Sequence, residues 1–266
     1  MNLTPPPRWR EYISPGTVEV IMITIHSDDY GYKMYSDKKI IRLLRLGKIK
    51  SVSVLMNMTS RPRLKTLAEL VRQKPHIRVG LHLNLVEGKS CEGKKYIPSL
   101  VDNRGNFYPL NKLVSKLMLR AVDAFHLERE IRCQIRFLKA AGLKVSFIDS
   151  HQHVHALSPV AEVVMKVASE ERIAQIRLYG KVKTYTLIAK AKLIFLKAVA
   201  YVSFRIYGKK TGLPVSWEKR GEESYTFMSW EGNGFDVSKV RDKSLVFVTH
   251  PYLPFDTNKS YMWLIF

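Results

Sequence analysis

Residues 18–25 read VEVIMITI, a β-branched and almost unbroken apolar run that stops at His26-Ser27-Asp28-Asp29. A strand of that kind has no polar face to offer water, so it must be covered on both sides, as a strand inside a parallel sheet is. Similar segments return along the chain at 51–56, 77–85, 144–149, 172–178 and 244–249. Helical patterns separate them. Ser36 or Asp37 can cap a helix with Ile40, Leu43 and Leu44 on one face and Gly47 at its end. Residues 63–74 carry Leu64, Leu67, Leu70 and Val71 at helical spacing before Pro75. Residues 113–141 read as one or two helices closed by Gly142, and Ser158-Pro159 opens another with Val160, Val163, Val164 and Val167 inward. This alternation predicts an α/β architecture around a parallel sheet, open or closed into a barrel.

With 266 residues and 46% hydrophobic content, the chain can bury one core of ordinary domain size or two small ones. No internal repeat or linker divides it, so 18–266 reads as one domain behind an N-terminal arm, 1–17, that holds three consecutive prolines and no apolar leader. The longest apolar stretch, 187–204, is interrupted by Lys190, Lys192 and Lys197, which argues against a membrane span. Cys91 and Cys133 are too few for a disulfide scaffold, fit a reducing compartment such as the cytoplasm, and read as small buried residues.

The polar residues at the strand ends carry the chemistry. Asp28 and Asp29, His151 and His250 each fall at or just past the C-terminal end of an expected strand, the edge where parallel α/β folds build their sites. In 77–85 the apolar face is Ile77, Val79, Leu81, Leu83 and Leu85, so His82 points the other way. One carboxylate and two imidazoles leave coordination positions open for water and substrate on a hydrolytic divalent metal. A second carboxylate could act as general base and a further histidine as general acid. Taken singly, Asp28-Asp29 could be a turn with a helix cap, and His82 a satisfied core histidine. The triplet His151, His153, His155 shares one face if extended, whereas a helical turn would align His151 with His155, leaving the others to orient a ligand.

Four blocks, Asp28-Asp29-Tyr30-Gly31, Gly80-Leu81-His82-Leu83-Asn84-Leu85, Asp149-Ser150-His151-Gln152-His153-Val154-His155 and Thr249-His250-Pro251, together resemble the YdjC-like family, which includes the chitooligosaccharide deacetylases. They occur in that family's order and span most of the chain. The resemblance implies a distorted (β/α) barrel like that of the polysaccharide deacetylases, and a divalent-metal-dependent hydrolase removing an N-acetyl group from an amino sugar in an oligosaccharide or glycolipid. Residue by residue it implies Asp29, His82 and His151 as metal ligands, Asp28 as base and His250 as acid. Asn57 and Arg177 match polar substrate-contact positions, with His153 and His155 behind the ligands. Imidazole ligands suit Zn2+, while the family is described with Mg2+, and both stay open.

This chain departs from the pattern in two places. His26-Ser27 stand where relatives have Asn-Ala, and His26 reads as space-filling rather than a further ligand. The family's pattern continues through a further helix and strand, whereas this sequence stops at Phe266. A barrel incomplete at its C-terminal end is therefore expected, either rebuilt from other elements, for example in a homodimer, or truncated.

The rival reading starts from charge: 44 Lys and Arg against 23 Asp and Glu give +21. Segment 177–220 holds eleven basic residues against Glu218, so +10 of that excess lies there among Leu, Ile, Val and Phe. Such a segment suits an anionic membrane surface better than nucleic acid, because no nucleic-acid reading module is present. It would make the chain a peripheral membrane enzyme, or a basic binding protein with a vestigial metal site.

Overall fold

The computed structural model describes residues 22–177, 222–226 and 244–249, with side chains over 26–177. Seven strands, β1 (Met22–Tyr30), β2 (Ser51–Val54), β3 (Arg78–Leu83), β4 (Val145–Ser150), β5 (Gln175–Ile176), β6 (Glu222–Thr226) and β7 (Ser244–Thr249), form one sheet in the order β5-β4-β3-β2-β1-β7-β6. Every ladder is parallel. Between the strands run α1 (Met34–Arg45), α2 (Arg61–Gln73), α3 (Leu110–Met118), α4 (Ala124–Ala140) and α5 (Ser158–Glu170). This is the parallel α/β arrangement of a distorted (β/α) barrel. Among the described residues its seam lies between β5 and β6, which no ladder joins.

The apolar periodicities define one core. Ile40 and Leu44 of α1, Leu67 and Leu70 of α2, Ile131 and Leu138 of α4, and Val160 and Val164 of α5 bury against Val52, Val54, Val79, Leu81, Leu83 and Ile148 of the sheet. Among the described residues no helix is long and apolar enough to cross a membrane. The arm 1–17, the basic segment beyond Arg177, His250 and the C-terminal stretch lie outside the described residues.

Several local expectations are corrected. β1 continues past Ile25 to Tyr30, because the polar residues that end the apolar run keep pairing with β2 and β7, so the Asp pair stands within the strand rather than in a turn. Lys33, not Ser36 or Asp37, flanks α1; Asp37 lies inside the helix and accepts the Gly31 N–H at 2.8 Å and an Arg63 guanidinium N–H at 2.8 Å. Ser158 is the first residue of α5 rather than its cap. The 172–178 segment shrinks to Gln175–Ile176, since Arg172 and Ile173 bond back to the end of α5. β6 had no apolar signature to reveal it, being Glu-Glu-Ser-Tyr-Thr.

One glycine is required by packing. Gly80 on β3 lies beside Phe147 on β4, and a Cβ there would sit 2.2 Å from Phe147 Cε2. The ring is braced by the edge of His26, with centroids 5.4 Å apart, and by the Arg78 guanidinium 5.5 Å away. Gly80→Ala is therefore expected to cost about 1–3 kcal/mol through overpacking, read as a lower urea midpoint at unchanged m-value.

Candidate active site

Adjacent strand residues normally face opposite sides of a sheet, yet Asp28 and Asp29 enter one polar cluster. The register against β2 shifts between Ser27 and Tyr30, and Asp29 adopts a left-handed backbone with φ of 62°. Aspartate tolerates that conformation better than bulkier residues do. The bulge re-aims the second carboxylate toward β3 and the segment after β4.

There Asp29 Oδ1 lies 3.1 Å from His82 Nε2 and 3.1 Å from His151 Nδ1. The opposite nitrogen of each ring is also held by a carboxylate: His82 Nδ1 donates to Asp149 Oδ1 at 2.6 Å, and His151 Nε2 to Glu87 Oε2 at 3.1 Å. With those nitrogens facing carboxylates, the inward nitrogens become acceptors whenever the rings are neutral, and they then converge on a third acceptor, the Asp29 oxygen. Three acceptors at such distances repel one another unless positive charge sits among them, so the donor set fits a divalent cation. Titration shows the same demand for positive charge, which a proton on His82 meets when no cation is bound. Burial opposes charge on both groups, but Asp149 and Asp29 push His82 well above its ordinary value, and His82 and His151 hold the Asp29 carboxyl below its own.

Asp28 stands in the adjoining half of the cluster. Its Oδ1 accepts from His26 Nε2 at 2.7 Å, Arg177 Nη2 at 2.7 Å and Ser53 Oγ at 3.2 Å. Burial would raise its pKa, yet the Arg177 charge and the His26 hydrogen bond bring it well below the usual range. Arg177 Nη2 also pairs with Asp149 Oδ2 at 2.9 Å. His26, Asp28 and Asp149 form a second group with metal-ligand spacing, but the guanidinium already supplies its positive charge.

The expected residues described here are thus brought together, with different partners in places. Asn57 does not point its amide at open space: Nδ2 donates to the Glu87 and Lys89 carbonyls, each at 2.9 Å, and Oδ1 accepts from Asn84 Nδ2 at 3.1 Å. It shapes the loop that presents Glu87. The histidine triplet takes neither anticipated form, because Gln152 and His153 are left-handed inside a 3-10 segment, His151–Ala156. That kink turns His151 to Asp29 while His155 folds back onto Ser150 Oγ. Sequence reasoning missed roles for Asp149, Ser53 and Glu87 and read His26 as filler. His26 instead bridges Ser51 Oγ at 2.8 Å to Asp28. The alternation of polar residues along 51–53 and at 149 was the available signal.

Comparison with known proteins agrees with the fold. The YdjC-like protein family model matches residues 22–251. A carbohydrate deacetylase of Brevibacillus brevis is 32% identical over 57% of this chain and 57% of its own length. One from Oceanobacillus iheyensis is 30% identical over 66% of this chain and 72% of its own, and one from Xenopus laevis is 31% identical over 59% and 51%. The chain thus spans a little over half the length of the relatives from Brevibacillus and Xenopus. A crystal structure of an Enterococcus faecalis V583 protein superposes with a TM-score of 0.58 at 19% identity, covering 90% of this chain and 83% of that one.

Two measurements follow from this geometry. Asp149→Asn, which removes the charge holding His82 Nδ1, should weaken divalent-metal affinity by roughly 10- to 100-fold in calorimetric titration. Burial pushes His155 down to about 4. The unfolded imidazole takes up its proton near 6.5 and the native one near 4, so stability should fall as pH drops through that window. Urea unfolding from pH 7 to 4 should show this decline, with a shallower slope in His155→Gln. From the family match across residues 22–251, the chain belongs to the YdjC-like protein family.

Proposed function

We propose that this protein is a divalent-metal-dependent hydrolase that removes an N-acetyl group from an amino sugar. The observation that carries this reading is the convergence of Asp29, His82 and His151 on one point, with a separate carboxylate, Asp28, alongside. Asp29, His82 and His151 would hold the cation, which when bound supplies Lewis-acid polarisation of an amide carbonyl and makes water more acidic. Two imidazoles and one carboxylate accept Zn2+ readily, and Mg2+ is the alternative.

Asp28 is the base in this scheme. It is ionised near neutral pH because Arg177 and His26 stabilise its charge, and it receives a proton from the attacking water. Its strong stabilisation makes it a weak base at rest, so the substrate must loosen one of these partners for the transfer to be efficient. Arg177 is the candidate, since it touches both Asp28 and Asp149 and could turn toward a sugar hydroxyl or carbonyl. His250 follows β7, the strand paired to β1, and is assigned the proton donated to the departing amine. Atoms balance: water adds to the carbonyl carbon, the C–N bond breaks, and acetate and a free amine result. The carbohydrate deacetylases among the relatives support the substrate class. The basic segment 177–220 would favour a substrate at an anionic surface, such as a glycolipid.

The test is free acetate released from a panel of N-acetylated sugars, lipid-linked members included, with Zn2+ or Mg2+ added. Asp28→Asn should keep metal affinity and lose about 10²- to 10⁴-fold in kcat, whereas His82→Ala should lose both. Metal bound tightly with no acetate from any sugar overturns the reading.

A further inference from the structure

The two imidazoles of the candidate metal centre are backed by unequal carboxylates. Asp149, behind His82, is a strand residue whose side chain is 3% exposed. Glu87, behind His151, stands on the loop that follows β3, and its side chain is 37% exposed. The deep half of the centre is thus held by strand register, which sets His82 against Asp149. The outer half needs another support, since His151 opens the kinked 3-10 segment after β4.

A closed circuit of polar contacts supplies it. The Asp29 carbonyl accepts the Tyr32 N–H at 3.1 Å, and the Tyr32 hydroxyl donates to Glu87 Oε1 at 3.1 Å. Glu87 Oε2 lies 3.1 Å from His151 Nε2, and His151 Nδ1 returns to Asp29 Oδ1 at 3.1 Å. The Tyr32 ring closes the middle of the circuit, its centroid 5.9 Å from that of His151. The corners come from the ends of three strands, β1, β3 and β4.

Glu87 is aimed by its own backbone. Its carbonyl accepts from Asn57 Nδ2 at 2.9 Å and Asn84 Nδ2 at 2.8 Å, and its N–H donates to Asn84 Oδ1 at 3.1 Å. Gly88 then turns the chain at φ of 72°, where a Cβ would sit 2.5 Å from Met58 Sδ. A half-exposed carboxylate on an ordinary loop would swing among rotamers. This one has its backbone pinned and both oxygens engaged.

An imidazole nitrogen that binds a cation carries no hydrogen, so the hydrogen of the neutral ring stays on the other nitrogen. For His151 that nitrogen is Nε2, which faces Glu87. Glu87 therefore selects the tautomer that presents Nδ1 to Asp29, and Tyr32 keeps Glu87 from rotating away.

We propose that Glu87 and Tyr32 are positioning residues that set how tightly the outer side of the centre holds its cation and how fast it lets go. His151 is the more accessible imidazole, 13% exposed against 4% for His82, and is the ligand that parts first when the cation leaves. The proposal rests on the metal reading of Asp29, His82 and His151 given above, and not on which reaction follows.

The full chain, titrated with Zn2+ or Co2+, provides the test. Calorimetry should show Zn2+ affinity lowered roughly 10- to 100-fold in Glu87→Ala, with correspondingly faster release to a chelator. Tyr32→Phe, which keeps the ring and removes the hydroxyl, should shift both in the same direction by a smaller factor. Glu87→Gln retains an acceptor for His151 Nε2–H and should recover part of the loss. The visible spectrum of the Co2+-loaded chain should change in Glu87→Ala while the urea midpoint of the metal-free chain does not. Zn2+ affinity unchanged in Glu87→Ala or in Tyr32→Phe, an unchanged Co2+ spectrum, or an affinity loss matched by a lower metal-free urea midpoint would each overturn the proposal. If acetate is still released in that case, the hydrolase reading stands and only this one falls. Metal held in a Glu87-dependent way without acetate from any sugar is the reverse result, and a chain that takes up neither cation overturns both.

Discussion

A single guanidinium lets two aspartates be buried side by side. Asp28 and Asp149 are almost wholly removed from water, and Arg177 Nη2 reaches both, at 2.7 and 2.9 Å. Unpaired carboxylates at that depth would protonate or be expelled, because a low-dielectric interior penalises charge heavily. With Arg177 in place, Asp149 is free to hold His82 from behind and Asp28 to stay ionised beside it. The cation comes from just past β5 and the acids from β1 and β4, strands that are not all neighbours, so the curl of the sheet is what assembles the charge balance.

The arrangement also explains why one cluster calls for a metal and its neighbour does not. Around Asp28 every close partner in hand, His26 Nε2, Ser53 Oγ and Arg177, is a donor. Around Asp29 the partners are ring nitrogens whose opposite N–H groups are already committed to Asp149 and Glu87. Two groups with similar spacing therefore differ in what they lack, and hydrogen-bond bookkeeping separates them where residue type alone does not.

Much of this could be read from the chain. Apolar β-branched runs ending in Asp or His marked the parallel strands and their functional edge, since burial on both faces leaves polar residues only at strand ends. Asp28, Asp29 and His151 were legible for that reason, and His82 because it stood opposite the apolar face of an alternating strand. The partners behind them were not: Asp149 and Ser53 are ordinary strand residues until the register sets Asp149 against His82, and Glu87 lies in a loop whose shape depends on Asn57 and Asn84. The bulge at Asp29 was hidden as well, because a left-handed aspartate has no sequence signature comparable to glycine's. β6 escaped notice for the opposite reason to β1: its Glu-Glu-Ser-Tyr-Thr sequence gives no apolar run.

The position of β1 at the interior of the sheet has a consequence for biosynthesis. Met22 to Ser27 pair on one side with β7, from Ser244 to Thr249, at the far end of the sequence. As the chain leaves the ribosome, the strand bearing Asp28 and Asp29 waits with one edge unpaired until more than two hundred further residues have been made. Pairings of such long sequence separation form late and leave partly assembled sheets prone to sticking. The polar residues at the end of β1 are thus the first of the cluster to be synthesised and among the last to be locked in place.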